Sequence, residues 1–166
     1  MSNANNTAEK KQQYEPLRLI AKDVQDLDII LSLLQDSLMP VVSIAHDKEN
    51  KTLSILTNRF CWEVPEENED DPVYYRVHAG FMFKDVEAIH EKNIDQNDSS
   101  RILSFLTAHI DEHSNHLFVY LMFSDDACIR LTLKNVDCTL ADIDEPWSTR
   151  ARPEHLMPEN DATLTV

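Results

Sequence analysis

Hydrophobic and polar positions alternate along this chain in two rhythms, and the strongest signal lies in residues 116–143. Residues 117–123 (LFVYLMF) run seven positions without a charge and are rich in aromatic and branched side chains. Ser124-Asp125-Asp126-Ala127 follows with turn chemistry. Beyond it Ile129, Leu131 and Leu133 alternate with Arg130, Thr132 and Lys134. A solid apolar arm, a polar corner and an arm of period two predict a β-hairpin whose first arm is the more deeply buried. Residues 136–143 fit either a further strand, from Val136 and Cys138, or a helical turn, from Leu140 and Ile143.

The remaining chain reads as one helix among strands. Residues 17–21 are strand-like. Val24, Leu27, Ile30, Leu31, Leu34 and Leu38 then fall at three- and four-residue steps, the stripe of an amphipathic helix. Asp23 or Asp26 can cap it, and Pro40 is expected to stop it. Strands are predicted over residues 41–45 and 53–62, joined by the polar turn at 47–51. Others are predicted over 73–83, with Gly80 as a bulge or point of close approach, over 86–94 and over 102–110. Short polar connections favour antiparallel pairing. The expected fold is α+β: a mostly antiparallel sheet, arranged as a half-open pleckstrin-homology-like barrel, with one N-terminal amphipathic helix. Residues 1–14 are expected to be a disordered tail and 15–145 a single domain. Residues 146–166, with Pro146, Pro153 and Pro158, are expected to be a tail partly packed on the sheet.

Composition removes several chemistries. A single glycine in 166 residues cannot supply a P-loop, a dinucleotide-binding fingerprint or a nucleophile elbow. Its turns must use Asn, Asp and Pro instead. Thirty Asp and Glu against fifteen Lys and Arg give a net charge of -15, which opposes binding to nucleic acid or to anionic membranes. No spanning segment and no secretory signal is visible, and three scattered cysteines suit reduced thiols in a cytoplasmic protein. The acidic run at 63–72 lacks EF-hand spacing and reads as a solvated loop.

Two groups of residues carry candidate chemistry. His109, His113 and His116 have a spacing that on a helix would gather three imidazoles for zinc, as in a metal-dependent hydrolase. Strand flanks make residues 111–115 a hairpin loop, so a solvated, histidine-rich turn is the default and no cofactor is expected. The second group is aromatic and basic. Phe60 and Trp62 share one side of a strand, with Arg59 and Cys61 on the other. Arg59, in so acidic a chain, calls for a carboxylate partner or a ligand, and the plainer reading is a structural ion pair beside a core tryptophan. Trp147, Arg150, Arg152 and His155 form a matching set in the tail.

Leu17-Arg18-Leu19, Gln35-Asp36, Asn58-Arg59-Phe60-x-Trp62-Glu63, Ile129-Arg130-Leu131 and Trp147-x-x-Arg150-x-Arg152-Pro153-x-His155 together resemble a family of alphaproteobacterial domains of unknown function. The resemblance spans residues 17–155. It implies a small cytosolic bacterial protein and brings no catalytic residue with it. Family members tend to carry glycine in the turn of the central hairpin, where this chain has Ser124-Asp125-Asp126.

The reading that results is a non-enzymatic binding or adaptor module. Asn58, Arg59, Trp62, Trp147, Arg150, Arg152 and His155 would form its surface for a protein or a small anionic ligand, with no nucleic acid and no membrane involved. A homodimer is compatible with it.

Overall fold

The computed structural model describes residues 14–66 and 68–154. His155 and residues 1–13 of the expected tail lie outside them. Among the described residues eleven strands and one α-helix follow in the order β1 (Arg18–Ala21), α1 (Val24–Leu33), β2 (Leu38–Pro40), β3 (Ile44–Asp47), β4 (Thr52–Phe60), β5 (Tyr74–Phe83), β6 (Val86–Lys92), β7 (Ile102–His113), β8 (His116–Phe123), β9 (Cys128–Leu133), β10 (Cys138–Asp142) and β11 (Trp147–Thr149). Every pairing is antiparallel. The path runs β1-β10-β5-β4-β2-β7-β8-β9-β6, with β3 beside β4 and β11 beside β5. It is open, ending on β1 and β6, so the sheet does not close on itself.

The long strand β7 joins two halves of the sheet. Its first residues pair with β2, while Phe105 onward pairs with β8 after a register shift between Phe105 and Thr107. Inward side chains from both halves meet in one core. Ile55 of β4, Phe81 and Phe83 of β5 and Leu140 of β10 belong to the same cluster as Phe105, Leu121 and Leu131 of the other half. Leu27, Ile30, Leu31 and Leu34 of the helix region complete it. Burying such side chains contributes roughly 1.5–3 kcal/mol each before entropy is counted.

The central hairpin forms, but its first arm is not the more deeply buried: β8 alternates buried with half-buried or exposed positions, and β9 alternates buried with half-buried ones. β8 pairs with β9 from Leu117↔Leu133 to Met122↔Cys128, and Asp125 and Asp126 turn the corner in left-handed backbone, with φ of 59° and 57°. Residues 136–143 resolve as strand rather than helix, because Cys138 and Leu140 share the buried face with Asp142.

Four other sequence expectations shift. The helix stops at Leu33, well before Pro40. Asp23 caps it by accepting from the Asp26 N–H at 2.8 Å, but the chain turns left-handed at Asp36, φ 62°. There the sheet takes over the backbone: Asp36 N–H donates to the Phe105 carbonyl, and Phe105 N–H donates to that of Ser37. Leu38 continues the apolar stripe by spacing alone and sits in β2. Val41–Ser43 form a 3-10 turn, held by the Ser43 hydroxyl on the Pro40 and Leu56 carbonyls, so the strand begins only at Ile44. The hairpin after β7 is tighter than residues 111–115. Ser114 and Asn115, at φ 52° and 63°, make a two-residue turn of the type I′ kind.

Gly80 is the fourth. It lies in unbroken register between Leu56 and Ala141 and has no positive φ. A Cβ there would meet Ile143 Cδ1 at 3.6 Å and Leu56 Cδ2 at 3.7 Å, ordinary van der Waals contacts. Glycine is therefore not required by the backbone. Gly80→Ala is expected to raise stability by about 0.4–1 kcal/mol, through a less flexible unfolded chain. Urea unfolding followed by circular dichroism measures the change.

Candidate functional site

Two arrangements meet at the Tyr74 end of β5, one inside the sheet and one on its outer surface. Both start from strand β4, whose period-two phase sends Thr57 and Arg59 inward and Asn58 and Phe60 outward.

Arg59 has 0% of its surface exposed. Its guanidinium grips two carboxylates, each by two hydrogen bonds. Nε and one terminal nitrogen donate to Asp142 Oδ1 and Oδ2, both at 2.8 Å. The terminal nitrogens also donate to Glu63 at 2.7 and 3.0 Å. Asp142 accepts further bonds from the Leu17 N–H at 2.9 Å and from the Tyr14 hydroxyl. The network thus ties β4, the segment after it, β10 and the chain entering β1. Burial opposes ionisation of Asp142, but the bonds from Arg59, Tyr14 and Leu17 outweigh it and hold the carboxyl below its ordinary value. Burial and the neighbouring carboxylate push the Tyr14 hydroxyl the other way. Tyr14 belongs to the structured domain here, where the sequence suggested the end of a disordered tail.

The outer face carries the aromatic residues. Phe60, Arg76 and Trp147 lie side by side across β4, β5 and β11. Phe60 is covered by Trp62, ring centroids 4.4 Å apart, and by Tyr74 at 5.6 Å, with the Arg76 guanidinium 5.6 Å above it. Trp62 donates its indole N–H to the Gln35 carbonyl at 3.0 Å. Arg76 donates to the carbonyls of Asn58 and Asp36 and to the Asn58 side chain. Trp147 stacks on His78 at 4.7 Å, and His78 meets Asp144 at 2.8 Å. Arg152 lies 6.0 Å from the Trp62 ring and 5.8 Å from that of Tyr74, and pairs with Glu66 at 2.9 Å. Arg150 pairs with Asp71. Next along the same face, Leu56 and Ile143 flank Gly80 and are 57% and 58% exposed.

Of the residues singled out by sequence, Asn58, Trp62, Trp147 and Arg152 come together on this outer face. Arg150 sits at its margin, bound to the acidic segment. Arg59 lies beneath the face, enclosed by its carboxylates. Tyr74 and Arg76 were missed, although their alternation with Tyr75 and Val77 carries the signal. Asp142 was missed because its phase is legible only once residues 138–142 are known to be a strand.

The histidines do not converge. His113 and His116 face each other across the type I′ turn, and His116 is already engaged with the Ser114 carbonyl at 3.0 Å and Glu87 at 3.4 Å. His109 lies four strand residues away, roughly 13 Å along β7. Among the described residues no group of three or more His, Cys, Asp or Glu is placed to hold a metal ion. Burial pushes the Cys61 and Cys138 thiols up to about 12, which leaves almost no thiolate at neutral pH.

Asp142→Asn removes a charge from a buried pair and leaves Arg59 short of an anion, which costs about 3–5 kcal/mol. The sign of the pH dependence follows from the depressed carboxyl. Its stabilisation is complete above the ordinary carboxylate range near pH 4, and is lost as pH falls through the lower folded value. Urea midpoints across acidic pH are expected to drop for the native protein and to lose this share of the drop in Asp142→Asn.

Among the described residues, no helix is long and apolar enough to cross a membrane. Neither curated proteins nor solved structures include a match to the chain. A family model does match, over residues 17–155, from the strand that follows Tyr14 to the arginines that hold the acidic segment. The chain therefore belongs to the family described as protein of unknown function DUF2948.

Proposed function

We propose that the protein is a non-enzymatic binding module that engages a protein partner through the outer face of β4, β5, β10 and β11. One observation carries this reading: Leu56 and Ile143 stand more than half exposed around Gly80, next to a cluster of Trp, Tyr and Arg. Exposed apolar area beside such side chains is typical of interface anchors. The pleckstrin-homology-like layout expected from sequence suits this use, and the open antiparallel sheet with short turns supports it.

The partner we favour presents an apolar knob with a basic rim. Arg150 and Arg152 are neutralised by Asp71 and Glu66, so the net charge of -15 dominates the field around the face. A small anion would find its cations already occupied.

The test uses the native protein, Leu56→Glu, Ile143→Glu and a control, Ile29→Glu, on the exposed side of α1, each immobilised and exposed to lysate. Expected is a basic protein retained by native and control and reduced about tenfold or more by either face variant, a loss of about 1.4 kcal/mol. Equal retention by the face variants, or no protein retained by the native chain, overturns the reading. Circular dichroism of each variant confirms the fold.

A further inference from the structure

We propose a second site, on the other half of the sheet, that binds a phosphate monoester with an apolar body through Arg130. Four side chains stand in one row across four strands. His90 of β6 pairs with Arg130 of β9, Arg130 with Tyr120 of β8, and Tyr120 with His109 of β7. Directly paired residues share a face, so all four point outward, away from the core that Ile129, Leu131 and Leu121 enter. Three inter-strand steps of about 4.8 Å make the row roughly 14 Å long.

Arg130 is the anchor. It is half-buried, and its Nε is enclosed with no hydrogen-bond partner. Arg59, Arg76 and Arg101, the other described arginines that are not fully exposed, each donate to acceptors. Among the described residues the side chains of His90, Tyr120, His109 and Arg130 make no hydrogen bond or ion pair with one another or elsewhere, and the rings of His109 and Tyr120 lie 5.9 Å apart. Lys92, nearby on β6, is engaged by Asp126 at 2.9 Å.

Such a row gathers donors that have no acceptor of their own, in a chain with twice as many carboxylates as cations; Asp111, paired with Phe118, puts one carboxylate on the same face. A phosphate answers this better than a carboxylate. Nε is closed off, but the two terminal nitrogens of the guanidinium are neither enclosed nor bonded; they can take two phosphate oxygens, and the third can reach His90 or Tyr120. Phe118 and Met122 lie on the same face to either side of Tyr120, Phe118 half-buried and Met122 43% exposed, and offer the apolar body a surface.

Phenyl phosphate and inorganic phosphate are the probes, titrated at constant ionic strength into protein carrying carbon-13 in its histidine and tyrosine rings. Saturable shifts are expected at His90, His109 and Tyr120 and not at His46, with a Kd on the order of 1 mM. Phenyl phosphate is expected to bind about three- to tenfold more tightly than the inorganic ion. Arg130→Gln is expected to abolish the shifts while its thermal unfolding stays cooperative, and Arg130→Lys to weaken them. Shifts that never saturate, shifts equal in Arg130→Gln, or equal affinity for the two phosphates overturn the proposal. If Arg130→Gln fails to fold, His90→Ala with Tyr120→Phe decides: undiminished binding overturns it.

Discussion

A buried arginine held between two carboxylates is the constraint on which this architecture depends. Arg59 sits on the inward face of β4, where every neighbouring inward position is apolar or Thr57. Its charge would be intolerable there alone. Asp142 on β10 and Glu63 beyond β4 meet it in two forked pairs, so strands far apart in sequence are held on either side of β5. Burying an ion pair adds little net stability compared with a packed apolar core. What it does here is penalise alternatives: a slip of one residue in β10 would turn Asp142 to solvent and leave Arg59 facing an empty position.

The same network organises the surface above it. β4 passes Arg59 inward and Phe60 outward, so holding the first in place holds the second. Phe60 in turn seats Trp62, Tyr74 and Arg76. The ion pairs from Arg150 and Arg152 lie at the rim in solvent, where such pairs contribute little. They align the tail with the acidic segment more than they stabilise it. The rigid part of the face is therefore its aromatic centre, and its periphery is electrostatically soft.

Much of this was legible from residues. Alternation in β9 and the solid run of β8 gave the central hairpin, and the need of Arg59 for a carboxylate gave the ion pair without naming its partner. Two things were not legible. The helix boundary was hidden because Leu38 happens to fall on the helical stripe, while its fate was decided by backbone bonds to Phe105, far along the chain. The histidine spacing pointed to a metal only under a helical geometry, and period two in β7 spreads the same residues along an edge. Which aromatic and basic side chains share a face depends on pairings such as Phe60↔Arg76 and Arg76↔Trp147, and those register facts have no local signature.

Among the described residues eight other than glycine adopt left-handed backbone: Asp36, Lys51, Asp85, Asn93, Ser114, Asn115, Asp125 and Asp126. Such geometry is disfavoured for most side chains and least so for Asn and Asp. In most proteins the bends are where sequence drifts freely during evolution. Here they should be among the slowest surface positions to change, since a branched replacement at any of them would strain a corner that no glycine relieves. The broad flat flanks between the corners, by contrast, are left open to variation, and with them the choice of what this scaffold recognises.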